Sequence, residues 1–212
     1  MTFLIIGITV LFSYLAFNNP GLKDQYMLNP YLVYGKKQYY RIFSHAFIHA
    51  DWSHLIFNMF TLYFFGSSMF EGELYGVEAD FKIIYGKTGM LFYVLLYVGG
   101  FLFASLPALV KHKNNPGYNS LGASGAVSAV LFASILINPY NGIYIFLLPV
   151  EIPAIIFGAG YLLYSAYMAK RNTDNIAHDA HFWGAIFGFV FPAALEPRLI
   201  EHFFDALKHY SF

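Results

Sequence analysis

The stretch NSLGASGAVSAV, residues 119–130, decides how this sequence is interpreted, because it sets one serine, Ser124, between two glycines at the start of an apolar run. Small residues recur four apart along the run, at Gly125, Ala129 and Ala133. This spacing is typical of a membrane helix that packs closely against a neighbouring helix. A serine beside such a stripe is most often a packing residue, and only residues elsewhere in the chain can make it a nucleophile.

The composition indicates that the stretch belongs to a membrane protein. Of the 212 residues, 58% are hydrophobic and 11% are charged, and the mean hydropathy is +0.52. Soluble domains carry about 25% charged residues. The formal net charge is zero, so neither nucleic acid nor an acidic partner is predicted. Cysteine is absent, which excludes disulfides, thiolate metal sites and cysteine nucleophiles.

Six apolar segments approach the length of about 20 residues that a helix needs to cross a bilayer. None of them contains Asp, Glu, Lys or Arg. The first connecting loop, residues 18–53, is long enough to hold short helices of its own, and Asp51 or Ser53 is predicted to cap the span that follows. We therefore predict an all-α membrane protein, one polytopic bundle over residues 1–212, with six transmembrane helices at residues 2–17, 54–70, 88–110, 121–137, 153–169 and 180–195.

Polar side chains lie at the N-terminal ends of the second, fourth and sixth spans. The second span carries His54 and Asn58 one turn apart, the fourth carries Ser124, and the sixth carries His178 and His181. Alternate spans cross the membrane in the same direction, so these three ends share one side of it. Because polar groups inside apolar spans are costly, the three clusters are candidates for one functional site.

A serine and a histidine on neighbouring helices suit acyl-transfer chemistry. The hydroxyl becomes a nucleophile when a neutral imidazole within about 3 Å takes its proton. A second small-residue stripe, Ala180, Gly184 and Gly188, lies beside His181 and would allow that approach. Free amides at the start of the fourth helix and the Asn58 amide could stabilise an oxyanion. With water as the second substrate, the predicted reaction is peptide-bond hydrolysis.

Four blocks of this sequence agree in order and spacing with one family. They are QYYRIFSHAFIHADWSH (residues 38–54), HLIFN (54–58), GASG (122–125) and AHFWGAIFG (180–188). Together they resemble the rhomboid intramembrane serine proteases, in particular the bacterial members with a six-helix core, over nearly the whole chain.

The resemblance implies a role for each matching residue. Ser124 would be the nucleophile and His181 the general base of a dyad without an acid, while His54, Asn58 and Gly122 would support the oxyanion. It further implies that transmembrane protein substrates enter from the lipid bilayer and are cleaved in or near their membrane segments. No metal and no cofactor are implied.

Orientation is predicted in two opposite ways. The resemblance implies a bacterial cytoplasmic membrane, with the N-terminus inside and the active site facing outside. The positive-inside rule favours the reverse, because the side of the first loop carries eight basic residues and the other side four. The excess is small and the first loop can hold basic residues at the interface, so we favour the orientation of the family.

Two departures from the family pattern concern the surroundings of the site. Tyr40 stands before Arg41 where tryptophan is frequent, and Ser128 stands one turn after Ser124 where an aromatic ring commonly stacks on the catalytic histidine. We expect another aromatic, such as Phe182 or Trp183, to take over that contact.

Other histidines have less direct roles in this interpretation. His45 and His49 are predicted to be structural, satisfying loop backbone or capping a short helix. His178 is predicted to be an interfacial cap or, as the second choice, a neighbouring partner of His181.

Two other functions stay open. Five histidines, at positions 45, 49, 54, 178 and 181, share one end of the bundle and could line a divalent-metal transporter. No carboxylate lies in a span to complete such a site. The chain could also be an inactive rhomboid-like protein that binds transmembrane helices, although both dyad residues are present.

Overall fold

Helices form most of the chain in this computed structural model, which describes residues 1–70, 72–144, 150–171 and 177–209. In chain order the elements are α1 (Thr2–Asn18), α2 (Pro20–Tyr26), α3 (Pro30–Gly35), α4 (Arg41–Ser44), α5 (Trp52–Gly66), β1 (Ser68–Phe70), β2 (Glu73–Tyr75), α6 (Val77–Tyr85), α7 (Gly89–Lys111), α8 (Ser124–Ile137), β3 (Gly142–Tyr144), β4 (Glu151–Pro153), α9 (Ala154–Arg171), α10 (His178–Leu195) and α11 (Arg198–His209). Each strand pair is a short antiparallel hairpin. The prediction of an all-α bundle is confirmed.

The apolar segments of the sequence correspond to α1, α5, α7, α8, α9 and α10. Judged by length and hydropathy alone, Val77–Lys111 could cross a membrane, and α10 with α11 could form one bent span with an angle of 113°. Helices α1 and α8 are apolar but shorter. The 14 residues of α8 extend about 21 Å, which is less than the ~30 Å of a bilayer core.

The long first loop contains short helices, as expected from its length. Asn19 and Asn29 each cap a helix that begins with proline, α2 and α3 respectively. The buried Arg41 donates hydrogen bonds to the carbonyls of Asp24 and Met27, 2.9 and 2.8 Å away. This guanidinium therefore holds the loop together beside the bundle.

Helix α8 is the centre of the bundle, because every residue from Gly125 to Ile137 is buried. A side chain at Gly184 would collide with the carbonyl oxygen of Gly125, and one at Gly188 with that of Ala129. The backbones of α8 and α10 are thus in direct contact along the two small-residue stripes.

Helix α7 lines α8 on another side with small residues of its own. A Cβ atom at Gly100 would lie 2.7 Å from the Ala129 side chain, and Ala104 faces Gly125 in the same way. These small residues of α7 were not predicted from the sequence. Because of them, three helices, α7, α8 and α10, pack together closely.

The far end of α8 is closed by α11, whose Leu199 and Phe203 are buried against the bundle. The imidazole Nε2 of His202 donates a hydrogen bond of 2.9 Å to the carbonyl of Ile137. This bond satisfies one of the backbone acceptors that a helix leaves free at its C-terminus.

Candidate active site

Ser124 is the first residue of α8 and is half-buried. The preceding residue, Ala123, has no side-chain acceptor with which to cap the helix, so the first-turn amides carry no cap bond. Ser124 borders a cavity of about 20 Å³, shared with Ala177 and Ala180 at the start of α10, and that volume holds about one water molecule. The hydroxyl thus lies at the positive end of a buried helix beside space for a small reactant.

Gly122 is required by its backbone conformation and by its neighbour. Its φ is +117°, and a Cβ atom there would lie 2.6 Å from Cε1 of the His54 ring. The Gly122 amide donates to the carbonyl of His45 at 2.9 Å. Because that amide is already engaged, Gly122 supports the site through its turn and the room it leaves for His54, and not as an oxyanion donor.

His49 is fully buried at the centre of a hydrogen-bond network. Its Nε2 lies 3.0 Å from the Asn58 side-chain nitrogen and 3.3 Å from the Ala123 amide. Its Nδ1 lies 3.0 Å from the hydroxyl of Ser13, which donates to the carbonyl of Phe47. Both groups near Nε2 are donors, so the network assigns the proton to Nδ1.

Burial, reinforced by the nearby His54, lowers the pKa of His49 to about 3 and so keeps the ring neutral. His49 satisfies loop backbone at Ala123, which confirms its predicted structural role. It also holds Asn58, a link that the sequence did not reveal, since only the folded loop brings position 49 to the start of α8.

His54 and His45 flank this network. The His54 ring centroid lies 4.9 Å from that of His49, and the Asp51 side chain caps α5 by accepting from the His54 amide at 2.8 Å, as predicted. His45 is buried with Nε2 3.0 Å from the Ser105 hydroxyl on α7. This side-chain contact ties the first loop to α7.

His181 lies in the first turn of α10, half-buried. Its ring stacks with that of Tyr161 from α9, with centroids 6.2 Å apart and planes inclined by 24°. Another aromatic thus takes over the contact, as predicted, but neither of the two named examples does, since Phe182 contacts Trp183 edge to face and Trp183 packs against Phe103. The buried His178 meets the edge of the His181 ring at 5.7 Å, so it is the neighbouring partner that the sequence ranked second.

The predicted site residues gather around the start of α8. Ser124 and His181 are on helices whose backbones touch, and a Cβ atom at Gly125 would lie 3.7 Å from the Ala180 carbonyl oxygen. Asn58 is linked to Ala123 through His49. The His54 ring lies directly against Gly122. Helices α5, α8 and α10 therefore present a hydroxyl, an imidazole and amide donors to one region.

The histidines do not form a metal cluster in the described part of the chain. Across residues 1–70, 72–144, 150–171 and 177–209, no three His, Asp or Glu side chains lie close enough together to hold an ion. Ring nitrogens of His45 and His49 are instead engaged with protein groups. The Nε2 atoms of these two rings are therefore occupied by contacts within the protein.

Comparison with known proteins shows the family of this chain. The model of the Rhomboid domain matches residues 36–198. "RHOMBOID-like protein 12, mitochondrial" of Arabidopsis thaliana is 29% identical over 174 residues, which cover 76% of this chain and 49% of that protein. "Rhomboid-like protein 11, chloroplastic" of the same plant is 28% identical over 172 residues, 76% of this chain and 54% of that protein. The chain thus spans about half the length of these relatives. Since the Rhomboid domain covers most of the sequence, the chain belongs to the rhomboid family of integral membrane proteins.

Proposed function

We propose that this protein is an intramembrane serine protease that hydrolyses peptide bonds in or near the transmembrane segments of other membrane proteins. The observation that carries the proposal is the contact between α8, which begins at Ser124, and α10, whose first turn carries His181. Packing alone explains the glycines at this contact, but it does not explain a hydroxyl and an imidazole at the same end of it.

The residues support a complete acyl-transfer cycle. His181 takes the proton of the Ser124 hydroxyl as the oxygen attacks the substrate carbonyl, and returns it to the leaving amine. The first-turn amides of α8 and the second hydrogen of the Asn58 amide stabilise the oxyanion. Water then attacks the acyl-enzyme with His181 again as the base, which releases the acid and restores Ser124.

The depth of the reaction follows from the length of α8. A helix about 21 Å long in a core of ~30 Å leaves about 9 Å between Ser124 and the near membrane surface when its far end lies at the opposite surface. The peptide bond to be cut would therefore lie below that surface, as expected for a transmembrane protein substrate.

The membrane and the orientation are also proposals. We favour a site that opens to the outside, as in bacterial cytoplasmic membranes, whereas the two named relatives are a mitochondrial and a chloroplastic plant protein. A Lys113→Cys variant tests the orientation, because the natural chain has no competing thiol. An impermeant thiol reagent applied to whole cells should modify this cysteine if the site faces outside.

A fluorophosphonate probe tests the chemistry on the full chain in detergent. We expect the natural protein to be labelled and both Ser124→Ala and His181→Ala to abolish labelling. The matched control is Ser134→Ala, which removes a buried hydroxyl from the same helix and should leave labelling unchanged. Labelling that survives Ser124→Ala would exclude Ser124 as the nucleophile.

The same samples separate the alternatives. A natural protein that never labels but retains added transmembrane helices on a column would be an inactive rhomboid-like binder. Metal retained through purification and lost in His54→Ala would instead indicate the transporter.

A further inference from the structure

Tyr161 stands out among the residues around His181, because its ring replaces one that the sequence lacks at position 128. We propose that Tyr161 is the positioning residue for the catalytic imidazole, and that Ser128 holds it in place. This inference rests on the proposed function and assigns one more residue to its site.

The ring contact gives Tyr161 the geometry to orient His181. Centroids 6.2 Å apart with planes inclined by 24° correspond to an offset stack, the favoured arrangement for parallel rings. His178 meets the same imidazole edge-on, with planes at 75°. A face contact and an edge contact together restrict rotation of the His181 ring, on which the direction of its basic nitrogen depends.

The hydroxyl of Tyr161 is held from the helix that carries the nucleophile. It lies 2.7 Å from the hydroxyl of Ser128, which is 2% exposed and one turn beyond Ser124 on α8. The body of the tyrosine ring packs against Phe132 on α8 and Phe157 on α9. A continuous path thus runs from α8 through Ser128 and Tyr161 to His181.

The small size of Ser128 has a reason in this arrangement. A large ring at position 128 would compete with Tyr161 for the space beside His181, so serine there both makes room for the incoming ring and bonds its hydroxyl. The orientation of the base consequently depends on the seating of α9 against α8.

The labelling kinetics of the full chain with the fluorophosphonate probe test this role. We expect Tyr161→Leu to lower the maximal labelling rate about tenfold with the half-saturating probe concentration unchanged, since misplacing a base affects the chemical step. Tyr161→Phe keeps the ring, and Ser128→Ala keeps the tyrosine, so each change should lower the maximal labelling rate only about threefold. Combining these two changes should cost no more than either alone, because both remove the same bond. Tyr167→Leu, an exposed tyrosine on α9, is the matched control.

A swap separates positioning from simple support of the fold. Ser128→Tyr combined with Tyr161→Ser returns a ring to the bundle from α8, and we expect it to recover part of the rate lost in Tyr161→Leu. Labelling of Tyr161→Leu at the natural rate would overturn the inference while leaving Ser124 as a nucleophile.

Histidine NMR keeps the inference testable if the protein proves not to be a protease. With ¹³C-labelled histidine, the His181 Cε1 proton should carry a ring-current shift that disappears in Tyr161→Leu and persists in Tyr161→Phe. A His181 signal that is identical in Tyr161→Leu and the natural chain would overturn the proposed contact, whatever the labelling result.

Discussion

Helix α8 packs in opposite ways against α10, which carries His181, and against α9, which stacks Tyr161 on it. On the α10 side, glycines let the backbones touch, and no side chain separates the carbonyls of Gly125 and Ala129 from the facing helix. On the α9 side, contact is made through aromatic rings, and an apolar cavity of about 300 Å³ lies among α8, α9, α10 and α11. The difference teaches that the distance between Ser124 and His181 is determined by backbone contact and the orientation of the His181 ring by side chains.

The largest effect is expected from breaking the backbone contact. Gly184→Leu would drive a side chain into the Gly125 carbonyl, so we expect fluorophosphonate labelling to disappear and stability to fall by about 4 kcal/mol. The control is Gly160→Leu on α9, where no atom lies within 4 Å of the added Cβ. Labelling and thermal unfolding measure both effects. An equal loss of labelling and stability in the two variants would mean that the α10 side and the α9 side do not differ in how closely they pack.

The turn before Ser124 is the next most sensitive point on the tightly packed side. Gly122→Ala strains a φ of +117° and displaces the His54 ring, and we expect a cost of about 3 kcal/mol with about tenfold slower labelling. Gly72→Ala strains a φ of +86° with nothing within 4 Å, so it measures the backbone cost alone. If Gly72→Ala destabilised the protein equally, the contact with His54 would be irrelevant.

Lowering the pH should reduce the stability of the fold through His49, by less than the two glycine substitutions do. Because burial holds the pKa of His49 at about 3, the folded ring stays neutral, while the unfolded ring takes a proton below about pH 6.5. The unfolded state then binds more protons, so stability is lost as the pH falls. Between pH 7 and pH 5 the loss from His49 is about 2 kcal/mol.

Thermal unfolding of the natural chain and of His49→Gln at both pH values checks this. The variant should start less stable at pH 7 and lose less on acidification. Burial lowers the pKa of His45 to about 4, so part of the pH dependence should remain in the variant. Parallel pH profiles would contradict a buried neutral His49.

The smallest effect is expected from filling the loosely packed side. Ala159→Leu projects from α9 into the apolar cavity among the four helices, and we expect thermal stability to change by less than about 1 kcal/mol with labelling within about twofold. A loss of stability and labelling as large as that of Gly184→Leu would show that the side of α8 with the cavity accommodates an added side chain no better than the side with the glycines.

The tightly packed side could be predicted from the sequence because helical periodicity alone determines it. Gly125 and Ala129, or Gly184 and Gly188, share a helix face at any plausible boundary of the helix, and the order of the spans brings both faces to the same depth. The same logic predicted that Ser124, His181 and Asn58 would lie at one end of the bundle.

The ring on His181 could not be predicted in this way. Helix α9 carries Tyr161, Tyr164 and Tyr167, and nothing in their spacing says which of them faces α8, since rotation of a helix that packs by side chains depends on its neighbours. Phe182 and Trp183 adjoin His181 in sequence, but consecutive helix residues point about 100° apart, so proximity along the chain does not predict the contact. The network of His49 could not be predicted for a related reason, because its partners come from three other parts of the chain.

The contact between His202 and the Ile137 carbonyl connects the C-terminal end of α8 to α11. Helix α8 is shorter than a bilayer core and is buried inside the bundle, so its height in the membrane depends on the helices that hold it. Helix α11 is amphipathic and is bent by 113° from α10, as expected for a helix that lies at the opposite membrane surface. It contacts the last turn of α8 through His202. The depth of Ser124 in the bundle is therefore determined by a contact at the opposite end of its helix.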